Sequence, residues 1–267
     1  MDKIVLQGIL YDQKSSFLKG AAKAPPLIRQ AYHSNSANYW SENGIEIVPE
    51  RFEDRGDFAI SEYIDIEKVT SSNLNEKLAL VSLGGDHSIS YPILKAFYKT
   101  HGPVDILHLD AHSDLYDVFE DDKYSHACPF ARIMEEGLAS SLYQLGIRTL
   151  NKHQKDQAKK FGVEIMEMRH FRLEDLPTFK NPLYLSVDMD ALDPAYAPGV
   201  SHHEPGGLST RDVLHIIQGL DVPILGADIV EYNPDRDVNS MTAMVCAKIL
   251  KEIAAKMLGN GKLKMES

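Results

Sequence analysis

The stretch VDILHLDAHSD (104–114) joins an apolar run, Val104 to Leu109, to a cluster of aspartates and a histidine. An apolar run of this length that ends in a polar cluster is typical of a buried β-strand followed by a turn. The same pattern recurs along the chain, and the clearest strand-like runs are residues 3–10, 78–83, 104–110, 142–147, 182–188 and 223–231. This repetition indicates strands that are buried on both faces.

Segments of helical period separate these runs, namely residues 89–99, the stretch after Asn151, residues 209–220 and residues 245–257. Strands that are apolar on both faces and alternate with helices predict a mostly parallel sheet that is covered by helices on each side. The expected fold is therefore a three-layer α-β-α structure of the α/β class, in one domain over residues 1–267. Residues 32–76 show no clear period.

Composition and charge argue against several classes of function. The 267 residues carry a net charge of −11 and the pI is near 5.4, whereas nucleic acids and anionic membranes both require a basic face. We therefore expect no nucleic-acid or membrane partner, and a small cationic substrate. The sequence shows neither a long apolar span nor a secretion signal, which predicts a cytoplasmic protein. Cys128 and Cys246 form no CxxC pair and are expected to be free thiols.

Four polar clusters directly follow four of the predicted strands: GGDHS (84–88), DAHSD (110–114), DMDALDP (188–194) and EYNP (231–234). In an open α/β sheet, ligands bind beyond the carboxyl ends of the strands. The four clusters are therefore predicted to converge on one crevice.

The aspartates and histidines of these clusters predict a metal site. Side chains two residues apart on an extended segment point the same way, so residues 110, 112 and 114 can face one point, as can residues 188 and 190. Crowded carboxylates raise one another's pKa unless a cation holds them ionised. The candidate ligands contain no thiolate, which favours a hard ion such as Mn²⁺, with Co²⁺, Fe²⁺ or Zn²⁺ as substitutes. The candidate ligands are His87, Asp110, His112, Asp114, Asp188 and Asp190.

A single catalytic ion must keep one coordination position open for substrate, and it therefore needs fewer than these six ligands. The six ligands suit two ions that share bridging aspartates. A lone Asp-x-Asp after a strand is more often a turn or a helix cap, but three such clusters after three strands favour the metal interpretation. His108 is expected to be a core or outer-sphere group, and His202 and His203 to be loop residues. Cys128 with His126 makes an improbable nucleophile and base, because nothing orients the pair.

GGDHS, DAHSD and SVDMDALDP, in this order, resemble the three metal-binding motifs of the ureohydrolase family, which contains arginases, agmatinases and related guanidino-group hydrolases. The likeness extends over nearly the whole chain, and phrases such as LGIRTLNK (145–152) and GADIVEYNP (226–234) are most similar to plant-type arginases. The resemblance implies a three-layer fold with a parallel sheet, two Mn²⁺ ions per chain and a homo-oligomer, either a trimer or a hexamer.

The resemblance also implies roles for the metal ligands. His87 and Asp114 would bind one manganese ion, and His112 and Asp190 would bind the other. Asp110 and Asp188 would bridge the two ions. Asp114 would also carry a proton to the leaving nitrogen.

Three further positions match the family's substrate and proton groups. His126, in YSHAC, corresponds to the mobile histidine that passes protons between the metal site and solvent. Glu231, in DIVEYNP, corresponds to the carboxylate that pairs with the substrate guanidinium. Asn151, in IRTLNK, falls where arginases read the amino-acid end of the substrate.

The expected reaction is that of an arginase, L-arginine and water to L-ornithine and urea. Agmatinase, or another guanidino-acid ureohydrolase, is the near alternative, because the loop 115–125 offers Tyr116, Lys123 and Tyr124 for a carboxylate but also four acidic residues for a lone cation. A deacetylase-type amide hydrolase with one zinc ion is a further alternative. A catalytically silent, metal-stabilised oligomeric partner is the non-enzyme alternative.

Overall fold

The computed structural model describes residues 2–74 and 76–259, and its centre is one parallel sheet of eight strands. The spatial order is β2-β1-β3-β8-β7-β4-β5-β6, and every neighbouring pair is parallel. The strands are β1 (Ile4–Leu10), β2 (Phe52–Ala59), β3 (Ala79–Leu83), β4 (Val104–Leu109), β5 (Ala139–Ile147), β6 (Glu164–Glu167), β7 (Leu183–Asp188) and β8 (Ile224–Val230).

Helices cover both faces of this sheet, so the predicted three-layer α/β fold is confirmed. Side chains from α1, α6 and α7 pack on one face, and side chains from α2 to α5 pack on the other. Within β3, Val81 belongs to the first core and Leu80 to the second, as the alternation of a strand requires. The helices are α1 (Ala24–Tyr32), α2 (Asp65–Asn73), α3 (Ser90–His101), α4 (Pro129–Glu135), α5 (Lys152–Phe161), α6 (Thr210–Gly219) and α7 (Met241–Gly259).

The two strands that the sequence pattern did not predict, β2 and β6, are the two edges of the sheet. Strand β2 (FEDRGDFA) pairs only with β1, and it exposes charged side chains. Charges on an edge strand discourage pairing with another chain, and they also remove the apolar run that marks a central strand. Strand β6 has only four residues and pairs only with β5.

The sheet order places the four polar clusters together. Strands β3, β8, β7 and β4 are consecutive neighbours at the centre of the sheet, and each ends in one of the clusters. The turn after β3 requires glycine, because a Cβ on Gly85 would lie 1.6 Å from the carbonyl oxygen of Tyr11. Among the described helices, none is both long and apolar enough to span a membrane.

Candidate metal centre and active site

His87 is the centre of the first cluster of candidate ligands. Its Nδ1 atom lies 3.0 Å from an oxygen of Asp188 and 3.2 Å from oxygens of Asp110 and Asp114. Donor atoms that bind one ion at about 2.1 Å in octahedral geometry are themselves about 3 Å apart. The three distances from His87 Nδ1 match that spacing, so His87 and these carboxylates are candidate ligands of one small divalent cation.

His112 is the centre of the second cluster. Its Nδ1 atom lies 3.1 Å from Asp190 Oδ2 and 3.4 Å from Asp110 Oδ1. Asp110 faces the His87 cluster with Oδ2 and the His112 cluster with Oδ1, so each oxygen serves a different cluster. The two oxygens of this one carboxylate thus connect the two clusters.

The electrostatics of the clusters fit cations at the same place. Burial, reinforced by the negative charges of Asp190 and Asp110, raises the pKa of Asp188 well above its usual range. Burial lowers the pKa of His87, but hydrogen bonds to the surrounding carboxylates outweigh it and raise the pKa strongly. The excess negative charge thus draws protons onto the imidazoles, and a divalent cation would take over that role.

A buried hydrogen-bonded chain fixes the tautomer of His87. Ser186 Oγ donates to Asp228 Oδ1 at 2.6 Å, so this hydroxyl is left to accept from His87 Nε2–H at 2.9 Å. Tyr184 and Ser90 donate to the other oxygen of Asp228, each at 2.8 Å. Because Ser186 holds the Nε2 proton, a bound cation would take the place of the Nδ1 proton and meet the Nδ1 lone pair, as in a metal-binding histidine.

His108 lies behind Asp110 as an outer-sphere group. The side-chain amide of Gln144 donates to His108 Nδ1 at 3.0 Å and to the Ser113 carbonyl oxygen. His108 Nε2–H then donates to Asp110 Oδ2 at 2.8 Å. The ligand atoms of His87, His108 and Asp110 lie within 4.8 Å of one another, yet both ring nitrogens of His108 already have protein partners.

Two non-glycine residues at the site have left-handed backbone conformations. Asp114 has φ 49° and Glu231 has φ 63°, and both side chains are almost fully buried. Such conformations cost on the order of 1–3 kcal/mol each and cluster at functional sites. In this fold they turn both carboxylates toward the cavity beside the two clusters.

Glu231 and His126 form a hydrogen-bonded pair next to the His87 cluster. Glu231 Oε1 accepts the backbone N–H of His87 at 2.9 Å and lies 3.0 Å from His126 Nδ1. Burial lowers the pKa of His126, but the bond to Glu231 outweighs it and raises the pKa to about 9. His126 Nε2 lies 2.8 Å from the hydroxyl of Ser16, so the ring is held from both sides.

These groups open onto a cavity of about 240 Å³. His202, which was expected to be only a loop residue, lines it with its side chain. The ring centroid of His202 is 5.8 Å from that of His112 and 5.5 Å from that of His126. The lining residues are Ser16, His112, Asp114, Tyr116, Phe119, His126, Ala127, Thr149, Gln154, Asp188, Asp190, His202, Glu204 and Glu231.

Asn151 is not in this lining, because its side chain caps α5. Its Oδ1 accepts the backbone N–H of Gln154 at 3.0 Å, and its Nδ2 bonds the hydroxyl of Tyr116. Tyr116 and Gln154 themselves reach the cavity wall. Lys123 lies over the ring of Tyr124, 4.8 Å from its centroid, and neither lines the cavity.

Cys128 is not equipped to act as a nucleophile. The side chain is fully buried, and burial raises the pKa of its thiol to about 12. Its sulfur lies 3.7 Å from the Asp122 carbonyl oxygen. A protonated thiol packed against a carbonyl group has little thiolate to react with substrate.

The arginase family model matches residues 2–255 of the chain. The chain belongs to the arginase family. It is 50% identical to an arginase of Arabidopsis thaliana over 275 residues, which cover 94% of this chain and 80% of that arginase. This similarity confirms the predicted likeness to plant-type arginases, and it assigns this family member to the hydrolases, with small guanidino compounds as the family's substrates.

Solved structures of the family share the fold. The chain matches an arginase from Medicago truncatula with a TM-score of 0.91 and 44% identity, over 96% of this chain and 87% of that one. It matches an agmatine ureohydrolase of Thermoplasma volcanium with a TM-score of 0.87 and 32% identity, over 98% and 92% of the two chains. The family likeness, together with the His and Asp clusters, marks the chain as a metal-dependent enzyme.

The expectation of a cytoplasmic protein is wrong. Similar arginases of Arabidopsis thaliana and Medicago truncatula are named mitochondrial or chloroplastic. Secretion signals and membrane spans are recognised by apolar segments, whereas the transit peptides that lead to mitochondria and chloroplasts are amphipathic and Arg-rich, so a lack of apolar segments does not distinguish the cytoplasm from these organelles.

Proposed function

We propose that this arginase-family chain hydrolyses L-arginine to L-ornithine and urea, with two Mn²⁺ ions per chain. The observation that carries the proposal is the pair of His and Asp clusters that share Asp110, directly beside the buried carboxylate of Glu231. His87, Asp110, Asp114 and Asp188 would hold one ion. His112, Asp190 and the second oxygen of Asp110 would hold the other, and Asp188 would complete the bridge.

The donor set suits this chemistry. Imidazole and carboxylate ligands without a thiolate favour manganese over a structural zinc site, and four carboxylates balance two divalent charges. When bound, two such ions would lower the pKa of a water molecule at the site and so supply a nucleophile at neutral pH. A deacetylase-type site with one zinc ion would leave the His112 cluster without a role.

Glu231 would orient the substrate. Its buried carboxylate can pair with the planar guanidinium in bidentate fashion. His126 Nδ1 lies within hydrogen-bond distance of Oε1 of Glu231. A guanidinium that pairs with both oxygens of Glu231 therefore requires that His126 turn away from this carboxylate.

Protons would move through Asp114 and His126. The new C–O bond forms at the guanidinium carbon, the C–N bond to the side-chain nitrogen breaks, and this nitrogen must gain a proton to leave as an amine. Asp114 lies within the His87 cluster and faces the cavity, which suits transfer of that proton. His126 would supply a proton from solvent, and nearby divalent cations would lower its raised pKa toward neutrality.

The end of the substrate beyond the guanidinium distinguishes arginase from agmatinase. Similarity to plant arginases favours arginine, whereas a cavity wall without lysine or arginine among the described residues would also accept agmatine. Asn151 would act on the tail through Tyr116 and Gln154, its partners on the wall. We further propose that the chain works as a homo-oligomer, a trimer or a hexamer, as the family resemblance implies.

Urea release from Mn²⁺-loaded protein tests the proposal. L-Arginine, agmatine and 4-guanidinobutanoate are compared at equal concentrations. We expect the highest kcat/KM for L-arginine. Efficient turnover of agmatine without turnover of arginine would make the enzyme an agmatinase, and the absence of urea from all three compounds would refute the proposed reaction class.

A further inference from the structure

Glu204 lines the cavity, and its carboxylate has no protein partner among the described residues. The side chain is half-buried, and no hydrogen bond or ion pair joins it to any residue in the described parts of the chain. Glu204 takes part in the fold through its backbone alone. A partly buried carboxylate that opens onto a cavity and has no partner is suited to a cationic ligand.

The local backbone aims Glu204 at the cavity. His202 and Glu204 both line it, whereas His203, between them, is exposed and bonds the Pro198 carbonyl oxygen through Nε2 at 2.7 Å. His202 and Glu204 thus share the cavity side of this loop, and His203 lies on its outer side. Glu204 therefore faces the same space as His202, whose ring lies beside His112 and His126.

Arg148 fixes Glu204 relative to the metal-binding clusters. Its Nε donates to the Glu204 carbonyl oxygen at 2.8 Å, and its Nη2 donates to the Asp190 carbonyl oxygen at 2.7 Å. One guanidinium thus joins the backbone of Glu204 to the backbone of a candidate ligand. Arg148 makes these bonds with carbonyl groups, so it leaves the Glu204 carboxylate free for a ligand.

The acidic side chains that line the cavity include one carboxylate that neither the metal ions nor the guanidinium would neutralise. Apart from the candidate metal ligands, the acidic residues in the lining are Glu231 and Glu204. Glu231 would be neutralised by the guanidinium. No lysine or arginine occurs among the described lining residues, and Arg148 bonds the carbonyl oxygen of Glu204, so no lysine or arginine of the described chain pairs with the Glu204 carboxylate.

We propose that Glu204 binds the ammonium group at the far end of the substrate and selects guanidino compounds whose tail carries a cation. The inference rests on the proposed function and extends it to the tail. The α-ammonium of arginine and the terminal ammonium of agmatine both satisfy Glu204. The tail of 4-guanidinobutanoate carries only a carboxylate, which Glu204 repels, and the tail of n-butylguanidine is neutral.

The variant Glu204→Gln tests this assignment with these four compounds on Mn²⁺-loaded protein. The kcat/KM for arginine and for agmatine falls about tenfold, the lower end of the range for a hydrogen bond between charged groups. The loss appears in KM, with kcat within about twofold, because the ammonium is bound equally in the ground state and the transition state. The value for n-butylguanidine stays within about twofold, and that for 4-guanidinobutanoate rises. Glu174→Gln, which removes an exposed carboxylate outside the cavity, is the matched control.

Two results would overturn the inference. An equal loss for all four compounds would mean that Glu204 acts through the fold, and no change for arginine and agmatine would mean that it does not touch the tail. Calorimetric binding of L-ornithine, which keeps the ammonium but lacks the guanidinium, gives a readout independent of turnover, and Glu204→Gln should weaken it about tenfold. A wild-type chain that releases no urea from any compound would instead refute the proposed function itself.

Discussion

Glu231→Gln separates recognition of the guanidinium from assembly of the metal site. The substitution removes one buried negative charge while it keeps the size of the side chain. The amide oxygen of glutamine can still accept the His87 backbone N–H that Glu231 accepts at 2.9 Å, so the turn after β3 is preserved. We therefore expect normal folding and normal metal content.

The loss of activity follows from the burial of Glu231, which is 5% exposed. Loss of one partner from a buried, hydrogen-bonded charge pair costs about 2–5 kcal/mol. At about 1.4 kcal/mol per tenfold, kcat/KM should fall about 30- to 4,000-fold. The fall should be the same for arginine and agmatine, because both carry the guanidinium.

Steady-state urea release with both substrates, together with bound manganese per chain, measures the effect. Glu174→Gln controls for the loss of one charge elsewhere. A Glu231→Gln enzyme within about threefold of wild type, with its metals retained, would show that another group binds the guanidinium. A variant that lost its metals would show that Glu231 supports the metal site instead.

Three other predictions concern the proton path and the metal site. His126→Asn should lower kcat about 100-fold, because the substitution removes a proton donor. The metal content should stay unchanged, and added imidazole should partly restore the rate. Unchanged turnover would exclude His126 as the proton donor. Asp228→Asn should weaken Mn²⁺ binding about 10- to 100-fold, because Ser186 would no longer hold His87. Isothermal titration calorimetry measures this loss of affinity. An unaltered affinity would show that the hydrogen bonds from His87 through Ser186 to Asp228 are dispensable. Mn²⁺ at about 100 times its Kd should raise the free energy of unfolding by about 2.7 kcal/mol per site. Differential scanning calorimetry should then show a Tm that is higher by roughly 5–10 °C per site. An unchanged Tm would contradict the premise that Mn²⁺ binds the folded chain and not the unfolded one.

The central strands could be predicted from the sequence because burial on both faces leaves an uninterrupted apolar signal. Strands β3, β4, β7 and β8 carry that signal, and the polar clusters at their ends marked the candidate ligands. The edge strands β2 and β6 could not be predicted, because one is rich in exposed charges and the other is only four residues long. Each edge strand is held in the sheet by one neighbouring strand, β1 for β2 and β5 for β6, and its own residues carry little of the strand signal.

The cavity wall was harder to predict than the candidate ligands. His202 and Glu204 belong to a loop whose direction depends on Arg148, and no local pattern reveals which side chains of such a loop point inward. Asn151 was expected to read the substrate tail, and this stays a prediction: its side chain caps α5, and its partners Tyr116 and Gln154 line the wall. An S/T/D/N-x-x-Q pattern before a helix was the signal that could have indicated the cap.

A manganese titration of metal-free protein, with bound metal and urea release from L-arginine measured in the same samples, tests the central claim most directly. Two clusters that share Asp110 predict saturation at two ions per chain, with urea release that rises as the second ion binds. Saturation at one ion with full activity would contradict the two-metal account. Saturation at two ions without urea would contradict the proposed reaction.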